Sequence, residues 1–267
     1  MKIYISADIE GTSGISCWDE AEKGKNGYDY FAARMTEEVE AVCSGVNSAC
    51  PGCGIYVKDA HDSGGNIDHQ KLPGNVSLNR NWSGSPLSMM DGIDHSFDAA
   101  IFTGFHSAAG TNGSPLAHTM NLGIASILIN GIVASECLIC YYTALYYGVP
   151  LVMLAGDEAL CESMKMIEPN LRTVASMAGA GGSVTSEHPD IIKGKLFAAA
   201  KEAVAGIAAM KAKIKLPDAF RTEINFKSHG KALRAAYYPG AKQAGAHTVT
   251  FDTDDFYEFL RYYMFVE

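Results

Sequence analysis

The chain has 267 residues, 48% apolar and 19% charged, with a formal net charge of -9. The apolar share can fill a sizeable core and argues against disorder; the length fits one large α/β domain, or a domain of about 200 residues with a small partner. The acidic balance, with no run of Lys or Arg beyond two or three residues, argues against nucleic acid and anionic membrane as partners.

The opening, MKIYISADIEG, lacks the apolar stretch and cleavage site of a secretory signal, so a cytoplasmic protein is expected. Lys2 to Asp8 predicts a buried strand, followed by a polar loop to about residue 26. From Tyr28 to Ala49, Phe31, Met35, Val39, Val42 and Val46 recur at helical spacing. Gly54 to Asp59 predicts a second strand, running into Asp59-Ala60-His61-Asp62. A weak strand is expected at Val76–Asn79 and a short helix at Pro86–Gly92.

Phe97 to Phe105 predicts a buried strand that ends at His106. A Gly-rich loop then leads to His118, and residues 125–133 predict a hairpin. Ser135 to Tyr147 predicts an apolar helix with Glu136 in its first turn; its apolar stretch is too short to span a bilayer. Pro150 to Ala155 predicts a strand stopped by Gly156-Asp157. A long helix is expected from about Pro189 to Ala212. Beyond residue 216 the pattern changes: Thr222–Lys227 and His247–Thr253 alternate like half-exposed strands, and a final helix begins near Asp254-Asp255. The expected fold is a doubly wound, mostly parallel α/β sheet over residues 1–215 with a small C-terminal α+β unit at 216–267.

Seven cysteines, an odd count, argue against a disulfide framework. Cys50-Pro-Gly-Cys53 follows a helix rather than opening one, so Pro-Gly reads as a turn. Cys137 and Cys140 lie within an apolar helix and read as small hydrophobes.

Open α/β sheets bind ligands beyond the carboxyl ends of their strands. Asp8 and Glu10, His61 and His106 stand at such predicted ends, and Glu136 opens a helix. Asp8 and Glu10, two apart, can converge on one spot. Three carboxylates and two imidazoles form a mixed oxygen and nitrogen donor set that suits zinc or a similar divalent ion. A single tetrahedral ion does not need five ligands; two ions sharing a bridging carboxylate would. Each residue alone also fits a loop, a cap or a solvated histidine. Asp59 is placed to orient a ligand histidine. His118 stands apart as a metal ligand, an acid–base group or a loop hydrogen-bonder. His69, His95, His188, His229 and His247 read as surface or structural. No nucleotide-binding Gly motif and no G-x-S-x-G elbow is present.

The run Ser6–Gly11, with Val57–His61, Gly104–His106, Ala117–Met120 and Glu136, resembles the dipeptide-operon type of D-aminopeptidase, a zinc metallo-aminopeptidase family, over nearly the full length. The resemblance implies that Asp8, Glu10, His61, His106 and Glu136 bind two zinc ions per chain, with Asp8 bridging. It implies that His118 is catalytic, as acid–base group, nucleophile or oxyanion stabiliser. It also implies a short-peptide substrate with D-residues accepted at the amino end, and a homo-oligomer, a ring-based decamer in the family's studied member. The chain departs from the family's pattern at Ser135, where Gly is common, and Lys58, where Asn is common; neither change removes a ligand. A di-metal hydrolase of a non-peptide amide or ester, and a non-catalytic assembly stabilised by metal, are the rival readings.

Overall fold

A computed structural model describes residues 1–267. The chain enters through β1 (Lys2–Ala7), a short helix α1 (Trp18–Ala21) and the long α2 (Tyr28–Ala49), which returns it to β2 (Gly54–Asp59). β3 (Val76–Asn79) and β4 (Ala99–Phe105) follow, then the hairpin β5 (Ile124–Ile129) and β6 (Ile132–Val133). α3 (Glu136–Tyr146), β7 (Leu151–Asp157), α4 (Glu158–Ile167), the hairpin β8 (Arg172–Ala180) and β9 (Ser183–Thr185), and α5 (Pro189–Lys211) complete the first layer system. The remainder is β10 (Phe220–Phe226), α6 (His229–Ala235), β11 (Lys242–Gln243), β12 (Thr248–Thr253) and α7 (Phe256–Val266).

Seven strands form the main sheet in the order β3-β2-β1-β4-β7-β8-β9. All neighbours are parallel except β8 and β9. Every residue of β4 and β7 is buried, as expected for central strands covered on both faces. Alternation along β1 divides the core. Ile3 and Ile5 pack on the α2/α5 side, whereas Tyr4 joins the side built from α3, α7 and the second sheet.

Strand order reverses between β1 and β4, because the chain leaves β1 towards β2 and later returns to β1's other edge. That switch point is where an open α/β sheet leaves a crevice. The register brings three strand ends level, since Ala7 pairs with Asp59 on one side and Thr103 on the other.

The second sheet, β11-β12-β10-β5-β6, is antiparallel. The segment from residue 216 therefore does not complete its sheet alone. Its β10 pairs with β5 from the middle of the chain, and its Phe220, Phe256 and Tyr262 share a core with Leu138 and Tyr142 of α3. The aromatic residues of the last helix mostly face inward: Phe256, Phe259, Tyr262 and Tyr263 are buried, and Phe265 is exposed. Cys50 and Cys53 are bonded across Pro51-Gly52, a single local bridge rather than a framework. Cys137 and Cys140 are buried thiols in α3. No helix is long and apolar enough to cross a membrane.

One buried acid ties α2 to the first loop. Glu38 Oε1 accepts from Ser13 N at 3.0 Å and Ser13 Oγ at 2.5 Å. Burial raises its pKa to about 7, against the opposing pull of the Ser13 hydrogen bonds. The folded chain thus holds this proton more tightly than the unfolded chain does. Glu38 therefore costs stability as pH rises from about 4.5 to about 7, and the cost is complete above that window. Glu38→Gln keeps an acceptor for Ser13 without the charge. Thermal unfolding of the variant should match the parent at about pH 4 and exceed it at pH 8, by up to about 3 kcal/mol. Equal differences below and above that window would contradict the assignment.

Candidate metal centre

The floor of the crevice is built by close backbone contact. Asp8 N donates to Thr103 O at 2.9 Å, Gly11 N to Gly104 O at 2.7 Å, and Ala60 N to Ala7 O at 2.8 Å. Side chains are excluded at two of these positions. A Cβ on Gly11 would lie 1.9 Å from Phe105 O, and one on Gly104, whose φ is +72°, would lie 2.0 Å from Asp8 O. The Gly that ends the D-x-E-G run is there because β4 passes against it.

Asp8, Glu10, His61, His106 and Glu136 converge on this floor, all buried. His61 Nδ1 lies 3.3 Å from Asp8 Oδ1 and 3.0 Å from Glu10 Oε2. His106 Nε2 lies 3.6 Å from Asp8 Oδ2 and 3.4 Å from Glu136 Oε2. Asp8 thus turns one oxygen to each imidazole. Asp8 Oδ2, Glu10 Oε2 and His106 Nε2 are buried without a hydrogen-bond partner. Buried polar atoms are rarely left so, and three donors facing one space fit a cation. Two donor sets share Asp8: Asp8, Glu10 and His61, and Asp8, His106 and Glu136. Glu10, His106 and His118 form a third grouping.

His118 reaches the same space from the Gly-rich loop. Its ring stacks on His106, with centroids 4.3 Å apart and planes 8° from parallel, and Trp18 meets it edge-on. Its Nε2 lies 3.3 Å from Glu136 Oε1. None of the other five histidines enters the site; His69, His95 and His247, for example, hydrogen-bond backbone carbonyls elsewhere.

Backbone carbonyls orient the rings. His61 Nε2 is 2.8 Å from Ala21 O, His106 Nδ1 is 2.9 Å from Ser107 O, and His118 Nδ1 is 2.9 Å from Leu116 O. Each contact assigns the N–H to the outer nitrogen and leaves the inner one facing the cluster. Asp59 was expected to orient a ligand histidine; it does not touch the ring. Its carboxylate accepts from Asn66 N, Asn66 Nδ2 and Ile67 N at 2.6, 2.7 and 2.9 Å. Asn66 in turn donates to His61 O at 2.7 Å, so Asp59 holds the loop instead. Asp157 does the same beyond β4, accepting from Ser107 N and Ser107 Oγ at 2.5 Å each and from Leu160 N at 2.9 Å. The two departures from the family pattern also have local roles. Ser135 Oγ caps α3, accepting from Leu138 N, and Lys58 Nζ donates to Asn81 O at 2.5 Å.

Charge is shared unevenly among the cluster. Burial and the neighbouring Glu10 push Asp8 well above the usual carboxylate range. Burial acts in the same direction on Glu10, but the imidazoles, His61 first, outweigh it and hold Glu10 low. Burial would lower His106, yet Glu136 and the other acids raise it to about 10. His61 is raised likewise against burial, chiefly by Glu10. The protons held by these imidazoles occupy the electrostatic role of a cation, and a metal that binds here must displace them.

The D-aminopeptidase family Peptidase_M55 matches residues 1–265. A D-aminopeptidase of Bacillus subtilis (strain 168) is 32% identical over 265 residues, covering 97% of this chain and 93% of that protein. The chain belongs to this family. Among solved structures, one described as the Zn-dependent D-aminopeptidase DppA from Bacillus subtilis, a self-compartmentalizing protease, superposes with a TM-score of 0.90. It is 29% identical and matches over 100% of this chain and 96% of its own. The chain is thus a metallo-aminopeptidase, a hydrolase, and its mixed α/β fold is the family's.

Above the floor of this peptidase lies a cleft of about 580 Å³. Its walls include several residues that sequence reasoning did not single out: Trp18, the loop carrying Trp82, and Leu260, Tyr263 and Met264 of α7. The hint available beforehand was compositional, since both of the chain's tryptophans stand in polar stretches. Asp157→Ala should leave three buried donors unpaired and cost roughly 3 kcal/mol or more, read as a lower urea midpoint. Zinc affinity should fall with it, because Ser107 O then no longer fixes His106; an unchanged midpoint and affinity would contradict this bracing role.

Proposed function

We propose that the chain removes the amino-terminal residue from short peptides, accepting D-residues there, at a centre of two divalent ions, zinc in the first instance. One observation carries this reading: Asp8 presents its two oxygens to two different imidazoles, and its Oδ2, Glu10 Oε2 and His106 Nε2 are buried without hydrogen-bond partners. Asp8 would bridge, Glu10 and His61 would hold one ion, and His106 and Glu136 the other. The mixed donor set suits zinc, and the similar solved structure is described as Zn-dependent. When bound, such ions supply Lewis acidity that polarises the scissile carbonyl and lowers the pKa of water.

His118 is assigned the proton transfer. Its Nδ1 is committed to Leu116 O, and its Nε2 faces the cluster beside Glu136 Oε1. It takes a proton at Nε2 from the attacking water and returns it to the leaving amine. Stacking on His106 fixes the ring plane for this exchange. Glu136 Oε1 also accepts from Met120 N at 2.6 Å, which couples the His118 loop to the centre. Trp18 meets the His118 ring edge-on and limits its movement.

Elemental analysis of the zinc-supplemented protein should give two ions per chain, and Asp8→Ala should lose most of both, because a bridge serves each ion. Metal bound in equal amount by the variant would remove Asp8 from the centre. At equal metal loading, D-Ala-D-Ala should turn over more efficiently than L-Ala-L-Ala. His118→Ala should keep the metal and lose about 10² to 10⁴ in rate. Turnover of the L-peptide alone would refute the stereochemical half; turnover of neither, with activity on a non-peptide amide, would favour a different hydrolase. We also read the chain as a subunit of a closed homo-oligomer, decameric if it follows the resemblance, as suits a relative described as self-compartmentalizing. A sedimentation mass equal to one chain would refute that.

A further inference from the structure

One wall of the cleft holds a carboxylate that the metal centre does not use. Glu267, at the C-cap of α7, lines the cleft with Asn121, Leu122 and Tyr263. Its side chain faces three donors. Burial raises its pKa, and hydrogen bonding from Tyr263, the charge of Lys231 and hydrogen bonding from Asn121 pull the other way.

Each donor is aimed by contacts other than Glu267. Gly123 N donates to Asn121 Oδ1 at 2.8 Å, which leaves Nδ2 as the free end of the amide, 3.5 Å from the Tyr263 hydroxyl. Tyr263 is buried, and burial, with the charge of Glu267 and Glu136, raises its pKa, so the phenol keeps its proton. Lys231 reaches the same loop from α6. A Cβ on Gly123 would lie 3.0 Å from Asn121 Oδ1 and 3.2 Å from Lys231 Nζ. Lys227 N donates to Gly123 O at 2.8 Å and ties this loop to the segment leading into α6.

The constellation stands close to the centre. Asn121 directly follows Met120, whose N–H is 2.6 Å from Glu136 Oε1. In a dipeptide the carboxylate carbon lies three bonds beyond the scissile carbonyl carbon, roughly 3 to 4 Å away. An ammonium with an amide and a hydroxyl donor is a set that suits a carboxylate. Building on the aminopeptidase reading above, we infer that Asn121, Tyr263 and Lys231 form the subsite for the free carboxylate of a short peptide, and that Glu267 occupies it until substrate arrives. Glu267 is exposed at the helix end and free to swing out. Two carboxylates would repel each other on one set of donors, so the substrate displaces Glu267 rather than joining it. The subsite acts on capture of substrate and not on the hydrolytic step.

The test compares D-Ala-D-Ala with its carboxamide on the zinc-loaded enzyme. The free acid should show the higher kcat/KM, by roughly tenfold and through KM, and its advantage should shrink as salt is added. Lys231→Met should remove most of that advantage by raising KM for the acid, and Lys231→Arg should restore it. Asn121→Asp keeps an acceptor for Gly123 N but exchanges the amide donor for a charge, and should reverse the preference. Glu267→Gln should lower KM for the acid, because the competing charge is gone. An amide hydrolysed as well as the acid would overturn this inference and leave the aminopeptidase reading intact. So would equal losses on both substrates in Lys231→Met, or weaker capture of both by Glu267→Gln, which would make Glu267 the partner of the substrate's ammonium. Hydrolysis of neither substrate would overturn the aminopeptidase reading itself, and this inference with it.

Discussion

Asp8 is fixed by the backbone of two strands before its side chain does anything. Its own N–H is bonded to β4 through Thr103 O, and Gly104 passes so close to its carbonyl that no other residue fits there. One of its oxygens accepts from Ile9 N at 2.9 Å and also faces His61; the other faces His106 without a partner. A carboxylate held this way, at the reversal of strand order, is presented to both sides of the crevice at once. The rest of the centre is arranged around that one group.

The loops that carry the other donors would wander if strand ends were their only anchors. Each is braced by a buried acid from outside the donor set. Glu38 grips Ser13 after β1, Asp59 grips Asn66 and Ile67 after β2, and Asp157 grips Ser107 after β4. Ser176 adds a contact from β8, its Oγ 2.5 Å from Gly11 O. Metal ligands must be placed within fractions of an ångström, and such supporting contacts limit how far a loop can relax. Three of the nine buried side-chain atoms without a hydrogen-bond partner, Asp8 Oδ2, Glu10 Oε2 and His106 Nε2, lie together at the floor.

Much of this was legible in the sequence for a definite reason. Apolar runs such as Phe97–Phe105 and GIYVKD end in charged or imidazole side chains, and in an α/β fold those ends share one edge. The convergence of Asp8, Glu10, His61 and His106 follows from that rule, and Glu136 joins them from the first turn of α3. What was hidden depends on distant pairing. Asp157 meets Ser107 across fifty residues, β10 finds β5 rather than only its own neighbours, and α7 returns to wall the cleft. None of these contacts leaves a local period or spacing. Asp59 shows the opposite failure: proximity to His61 in the chain suggested a contact with the ring, but strand geometry turns its carboxylate towards the loop.

Anomalous diffraction at the zinc absorption edge, from crystals of the zinc-loaded chain, tests the central claim most directly. Two peaks are predicted, one on each side of the Asp8 carboxylate, the first beside His61 and Glu10 and the second beside His106 and Glu136. A single peak, or peaks that do not have Asp8 between them, would contradict it.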